Sequence, residues 1–227
     1  GVSSNILKVD VDLNKVGVQE VKIELPGLKF STELEVIDLE PRTEAINNIP
    51  IKHWAKDYVR YVVNKGYIKG VIDGDLRLED SLKVSDSLTA YDRLLLSHNM
   101  YYMNIGRDKV DPIFENTRNW ALYPSKSVVS KYKKAPERFI ALNDEMLRED
   151  VADVIYQTLK DVIEVDYSIE LKYVDLNEVT KMDAIEFCTR AGILEGDNKG
   201  RVKPQANVTR AEFMTILERV DKILGNY

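Results

Sequence analysis

The chain divides by the period of its apolar residues. Residues 5–39 contain ILKVDVDL, GVQEVKIELPG and KFSTELEVIDLE, which alternate apolar and polar positions and are rich in Val and Ile. That is the period-2 signature of half-buried strands, with Asn14–Lys15 and Pro26–Gly27 as turns between them. Two or three strands do not make an independent domain. Residues 1–46 therefore read as the end of a preceding β-domain or as a small sheet packed on the helical part of the chain, with Pro41 and Asn47–Pro50 at the boundary. From about residue 52 the period becomes helical. HWAKDYVRYVVNKG places Trp54, Tyr58, Val59 and Val62 on one face, and AEFMTILERVDKIL does the same with Phe213, Ile216, Leu217, Val220 and Leu224. Long helices are predicted over Asp86–Tyr102, with Leu88, Tyr91, Leu94 and Leu95 inward, and over Arg148–Val162, with Val151, Val154, Ile155, Leu159 and Val162 inward.

The pattern also repeats. Two glycine trios, at 66, 70 and 74 and at 192, 196 and 200, share a spacing of four and stand 126 positions apart. Sliding the chain by 126 aligns KGYIKGVIDGDLRLEDSLKVSDSLTAYDRL with AGILEGDNKGRVKPQANVTRAEFMTILERV without a gap. Leu82 then meets Val208, Asp86 meets Glu212 and Arg93 meets Arg219. Half of that shift predicts a third helix start near 145, where EMLREDVADVI stands. Starts at 82, 146 and 208 are separated by 64 and 62 positions, which reads as three units. The middle unit has no glycine from 107 to 191. Its KAPERFIALNDE predicts a short helix opened by Pro136, and NWALYPSKSVV before it echoes HWAKDYVRYVV without a fixed register.

These residues resemble the S-layer homology family, whose unit runs His-Trp-Ala, a helix, a Gly-Ile-Ile-x-Gly turn, Asp-Gly-x-Phe-x-Pro, then Thr-Arg-Ala-Glu opening a long helix. The first unit has His53-Trp54-Ala55, Gly66-Tyr67-Ile68-Lys69-Gly70 and Asp73-Gly74-Asp75-Leu76. The last has Gly192-Ile193-Leu194-Glu195-Gly196, Gly200-Arg201-Val202-Lys203-Pro204 and Thr209-Arg210-Ala211-Glu212. The middle one rests on Leu147-Arg148-Glu149-Asp150 and periodicity. The resemblance implies a mainly α fold. Three pseudo-symmetric helical repeats, at 47–104, 105–169 (degenerate) and 170–227, surround a central helix bundle after the short N-terminal β segment. It implies non-covalent anchoring of a bacterial surface protein to the cell wall. The ligand would be an anionic secondary cell wall polysaccharide, often bearing pyruvate ketals, held in grooves between repeats. It implies an extracellular location at the cell surface, no catalysis and no cofactor.

Thr209 and Glu212 also fit an ordinary capping box, worth about 1 kcal/mol. The cap leaves Arg210 unexplained, since arginine in the first turn opposes the helix dipole. A helix N-terminus with free N–H groups and a guanidinium beside it would suit a carboxylate. Arg148 holds the corresponding position in the middle unit, and Val84 replaces it in the first, where Lys83 is the nearby cation. Trp54 either fills core or stacks on a sugar face. Asp73-Gly74 is turn chemistry that would also face a groove. The candidate carbohydrate-binding set is Arg210, Arg148, Thr209, Glu212, Trp54, His53, Asp73, Gly74 and Lys83, with one or two competent grooves expected.

Composition narrows the alternatives. Net charge is −6 and no Lys/Arg cluster stands out, which argues against nucleic acid. No apolar run approaches a membrane span. The lone Cys188 lies on an apolar stripe with Ile185 and Ala191 and reads as core, and no Cys/His spacing suggests a metal. The start at Gly1 reads as that of an excised fragment and shows no signal peptide. No base–nucleophile or paired-carboxylate constellation points to an enzyme. The competing reading is a structural or assembly module, self-associating in a surface lattice, whose degenerate repeats no longer bind sugar.

Overall fold

The computed structural model describes residues 17–25, 28–36, 40–68, 74–100, 121–130 and 141–226. The ILKVDVDL segment, both expected turns of the β segment, Asp73, Trp120 and Pro136 lie outside the described residues. The chain is mainly helical. A two-stranded antiparallel pair, β1 (Gly17–Leu25) and β2 (Leu28–Val36), precedes seven helices among the described residues. Gly17 pairs with Val36 and Leu25 with Leu28, so the two alternating segments align end to end. The helices are α1 (Glu40–Asn47), α2 (Lys56–Lys65), α3 (Val84–Ser97), α4 (Leu122–Val129), α5 (Arg148–Leu159), α6 (Met182–Arg190) and α7 (Arg210–Leu224).

Three boundaries differ from the sequence reading. The helix expected over Asp86–Tyr102 runs over Val84–Ser97. Pro41, expected to mark a break, sits in the first turn of α1, where its missing N–H would have had no helical partner. Ala45 and Ile49 then join the core. The helix expected to reach Val162 stops at Leu159, and Val162 is 38% exposed rather than inward.

The three long helices start beside one another. Leu82, Met146 and Val208 each stand two residues before a helix and are 0, 1 and 0% exposed. The Leu82 N–H donates to the Val208 carbonyl (2.7 Å), the Val208 N–H to Met146 (2.9 Å) and the Met146 N–H to Leu82 (2.8 Å). Three buried peptide groups thus satisfy one another in a closed ring. A second set of bonds surrounds it. The first two N–H groups of α3, at Val84 and Ser85, donate to Asp144 and Leu142. Those of α5, at Arg148 and Glu149, donate to Ala206 and Pro204, and those of α7, at Arg210 and Ala211, donate to Asp80 and Leu78. Each helix start is closed by the loop leading into the next, and α7 by the loop leading into α3.

Packing follows the same circuit. α3 packs on α4, α5 on α6, and α7 on α2. The inward residues of α3 and α7 are buried as their period predicts, and those of α5 are buried up to Leu159. Cys188 is buried on α6 and its Sγ reaches the Ala152 carbonyl of α5 at 3.5 Å. Tyr91 of α3 meets Thr158 of α5 at 2.6 Å. Asp221 of α7 takes hydroxyl bonds from Tyr61 (2.6 Å) and Tyr67 (2.5 Å). Positive φ at Gly66, Gly74 and Arg77 (79, 70 and 47°) recurs 126 positions later at Gly192, Gly200 and Lys203 (72, 70 and 53°).

Candidate functional site

A groove of about 770 Å3 opens beside the N-terminal half of α7. Its floor is the face of α7 carrying Glu212, Thr215, Ile216 and Arg219, residues spaced three or four apart and so aligned on one side. One wall is the loop from Glu195 to Asn207. Arg148, the first residue of α5, enters from one end, and Trp54 stands at the rim just before α2.

Three carboxylates hold that wall in place, Asp175 and Glu149 buried outside the groove and Asp197 half-buried within it. Asp175 accepts the N–H groups of Val202 (2.9 Å) and Lys203 (2.8 Å), fixing the backbone where Lys203 takes its positive φ. Glu149 accepts from Thr180 N–H (2.9 Å), Thr180 Oγ1 (2.6 Å) and Gln205 Nε2 (2.8 Å). Burial alone would raise the Glu149 pKa, but these donors bring it below its ordinary value. Asp197 takes Arg201 Nη2 (2.7 Å), Arg201 Nε (3.0 Å) and Lys203 Nζ (3.1 Å). The Arg201 guanidinium holds its carboxyl well below the usual carboxylate range.

The cations of the groove are oriented. Arg148 Nη2 donates to the Glu195 carbonyl (3.0 Å), and Nη1 stands 3.6 Å from Glu212. Burial pulls the Arg148 pKa below that of a free guanidinium, and Glu212 opposes the shift. Arg219 donates from Nη1 to the Ile193 carbonyl (3.3 Å) and from Nη2 to the Glu195 carboxylate (2.7 Å). Trp54 is 60% exposed. Its ring stacks on His53 with centroids 5.8 Å apart and planes at 26°. His53 is placed in turn by its Nδ1, which accepts the Ala55 N–H (3.1 Å), and by Nε2, 2.8 Å from Glu79.

The expected site residues separate into two groups. Trp54, Arg148 and Glu212 converge on the groove; Arg210, Thr209, His53, Gly74 and Lys83 do not line it. Arg210 lies in the interior of the fold. It is 7% exposed, with Nε bonded to the Leu76 carbonyl (2.8 Å) and Nη1 to Asp86 (3.0 Å). Nor are the N–H groups at the start of α7 free for an anion. Those of Arg210 and Ala211 go to Asp80 and Leu78, that of Glu212 to Thr209 Oγ1 (3.2 Å) and that of Phe213 to the Thr209 carbonyl. Thr209 and Glu212 do form the predicted capping box. Gly74 is buried, with a Cβ position 3.1 Å from Glu44 Cγ, so its role is conformational. Lys83 is exposed and pairs as an isolated bridge with Glu145.

Sequence reasoning missed Glu195, Asn198, Arg201, Asn207 and Arg219 as groove residues. One signal was available: Arg219 follows Glu212 by seven positions, two helical turns on the same face. Among the described residues, no group of three or more His, Cys, Asp or Glu side chains is placed to hold a metal ion.

Residues 172–214 match the S-layer homology domain. That match covers the Asp175 turn, α6, the groove wall and the first turn of α7. S-layer homology domains are generally cell-wall anchoring modules that bind wall polysaccharide, and they mark proteins associated with the cell surface. No curated protein matches the chain. Among the described residues no helix is long and apolar enough to cross a membrane.

Proposed function

We propose that the chain is a non-covalent cell-wall anchoring module of three S-layer-homology-like units, and that the Trp54–Arg148 groove takes an acidic secondary cell wall polysaccharide. The observation that carries this reading is an exposed indole at the rim of a groove holding two recessed guanidiniums, Arg148 and Arg219. An indole face suits the apolar face of a sugar ring. A guanidinium suits a carboxylate, which a pyruvate ketal supplies on an otherwise neutral sugar. The groove volume lies within the range of small-ligand sites. The amides of Asn198 and Asn207 offer donors and acceptors for hydroxyl groups.

The three-unit reading is supported by the ring of Leu82, Met146 and Val208 and by the recurrence of positive φ after 126 positions. Arg93 and Arg219, also 126 apart, donate to the carbonyls of Tyr67 and Ile193, which share that spacing. Each unit contributes an arginine, or its replacement, facing an acid on the next long helix. Arg148 faces Glu212 and Arg210 faces Asp86, whereas Val84 leaves Asp150 to Lys181 at 2.6 Å. This favours one working groove, the one at Arg148.

Sedimentation of the chain with purified sacculi, before and after mild acid removal of ketals, tests the proposal. Binding lost with the ketals supports the acidic ligand. Binding indifferent to them removes it, and no binding at all removes anchoring. The burial of Arg210 favours a second reading, a rigid assembly module. Self-association in light scattering that is unaffected by wall polymer would single it out.

A further inference from the structure

Glu195 serves both groove arginines with different parts of itself. Its carbonyl accepts Arg148 Nη2, and its carboxylate lies 2.7 Å from Arg219 Nη2. The main-chain half is fixed. The carboxylate half is not: the side chain is 69% exposed, and exposed ion pairs are weak and screened by salt. Arg219 keeps its position without it, through the Ile193 carbonyl and a guanidinium 6.0 Å over the Tyr58 ring. Of the other two groove acids, Glu212 caps α7 through Oε2 and faces Arg148 with Oε1 at 3.6 Å, and Asp197 is held by Arg201 and Lys203.

Resting on the anchoring reading, we infer that Glu195 is a specificity-setting residue of the groove. Its carboxylate occupies the place beside Arg219 that an acidic sugar substituent takes. It rotates to solvent when that substituent binds, leaving one ligand carboxylate between Arg148 and Arg219. Because it competes with acids and not with neutral sugars, it sets how far the groove prefers the charged form.

The test is isothermal titration of the full chain and of Glu195→Gln with a methyl hexoside bearing a 4,6-pyruvate ketal, and with the methyl ester of that ketal. The glutamine variant is expected to bind the acid ~3- to 10-fold tighter and the ester with unchanged affinity. Glu195→Asp, with the carboxylate drawn back by one methylene, is expected to fall between. Equal or weaker binding of the acid by Glu195→Gln overturns the inference and leaves anchoring intact, as does failure of both forms to bind the acid while both sediment with sacculi. Failure to bind and to sediment overturns both.

Discussion

Arg210 Nη1 and Asp86 Oδ2 lie 3.0 Å apart, joining the first turn of α7 to the first turn of α3 across 124 positions of sequence. The same guanidinium closes the Leu76 carbonyl. The Arg210 side chain thus joins two parts of the fold that are remote in sequence.

Arg210→Ala is therefore a stability variant. It strands a carbonyl and a half-buried carboxylate, and the expected loss is about 3 kcal/mol, the lower end for breaking a buried pair because Asp86 keeps some solvent contact. Urea denaturation measures it. Sacculus binding per folded molecule is expected to stay within about twofold of wild type.

Asp221 makes the fold acid-sensitive. Burial would raise its pKa, but hydrogen bonds from Tyr61, Tyr67, His98 and Lys65 bring it down to about 2. The folded-state value lies below the ordinary 3.8, so its contribution is complete above about pH 4 and disappears as pH falls toward 2. The amount is on the order of 2 kcal/mol. Denaturation at pH 5 and pH 2.5, for wild type and Asp221→Asn, is expected to show a shallower decline in the variant.

The ring of Leu82, Met146 and Val208 makes the three long helices one cooperative unit. Val208→Pro removes the N–H that serves the Met146 carbonyl, for an expected cost of roughly 3 kcal/mol. Calorimetry is expected to show one lowered transition that includes α3 and α5. Separate transitions would contradict the shared closure.

What the sequence disclosed was local or periodic. The spacing of 82, 146 and 208 located the residues of the ring, and the capping box of Thr209 and Glu212 was legible because its partners are three residues apart. The partners of Arg210 were not legible because Leu76 and Asp86 are remote and no local pattern points to them. The helical face drawn through Trp54 failed because α2 begins at Lys56, so Trp54 precedes the helix and faces solvent. The groove wall was hidden for a similar reason: Asp175 and Glu149 shape it from 27 and 56 positions away.

The central claim is that the groove of Trp54 and Arg148 is the wall-binding site. Co-sedimentation of Trp54→Ala and Arg148→Gln with purified sacculi, against wild type, tests it most directly. Each variant is expected to remain folded and to bind roughly 30-fold more weakly. Full binding by both folded variants would contradict it.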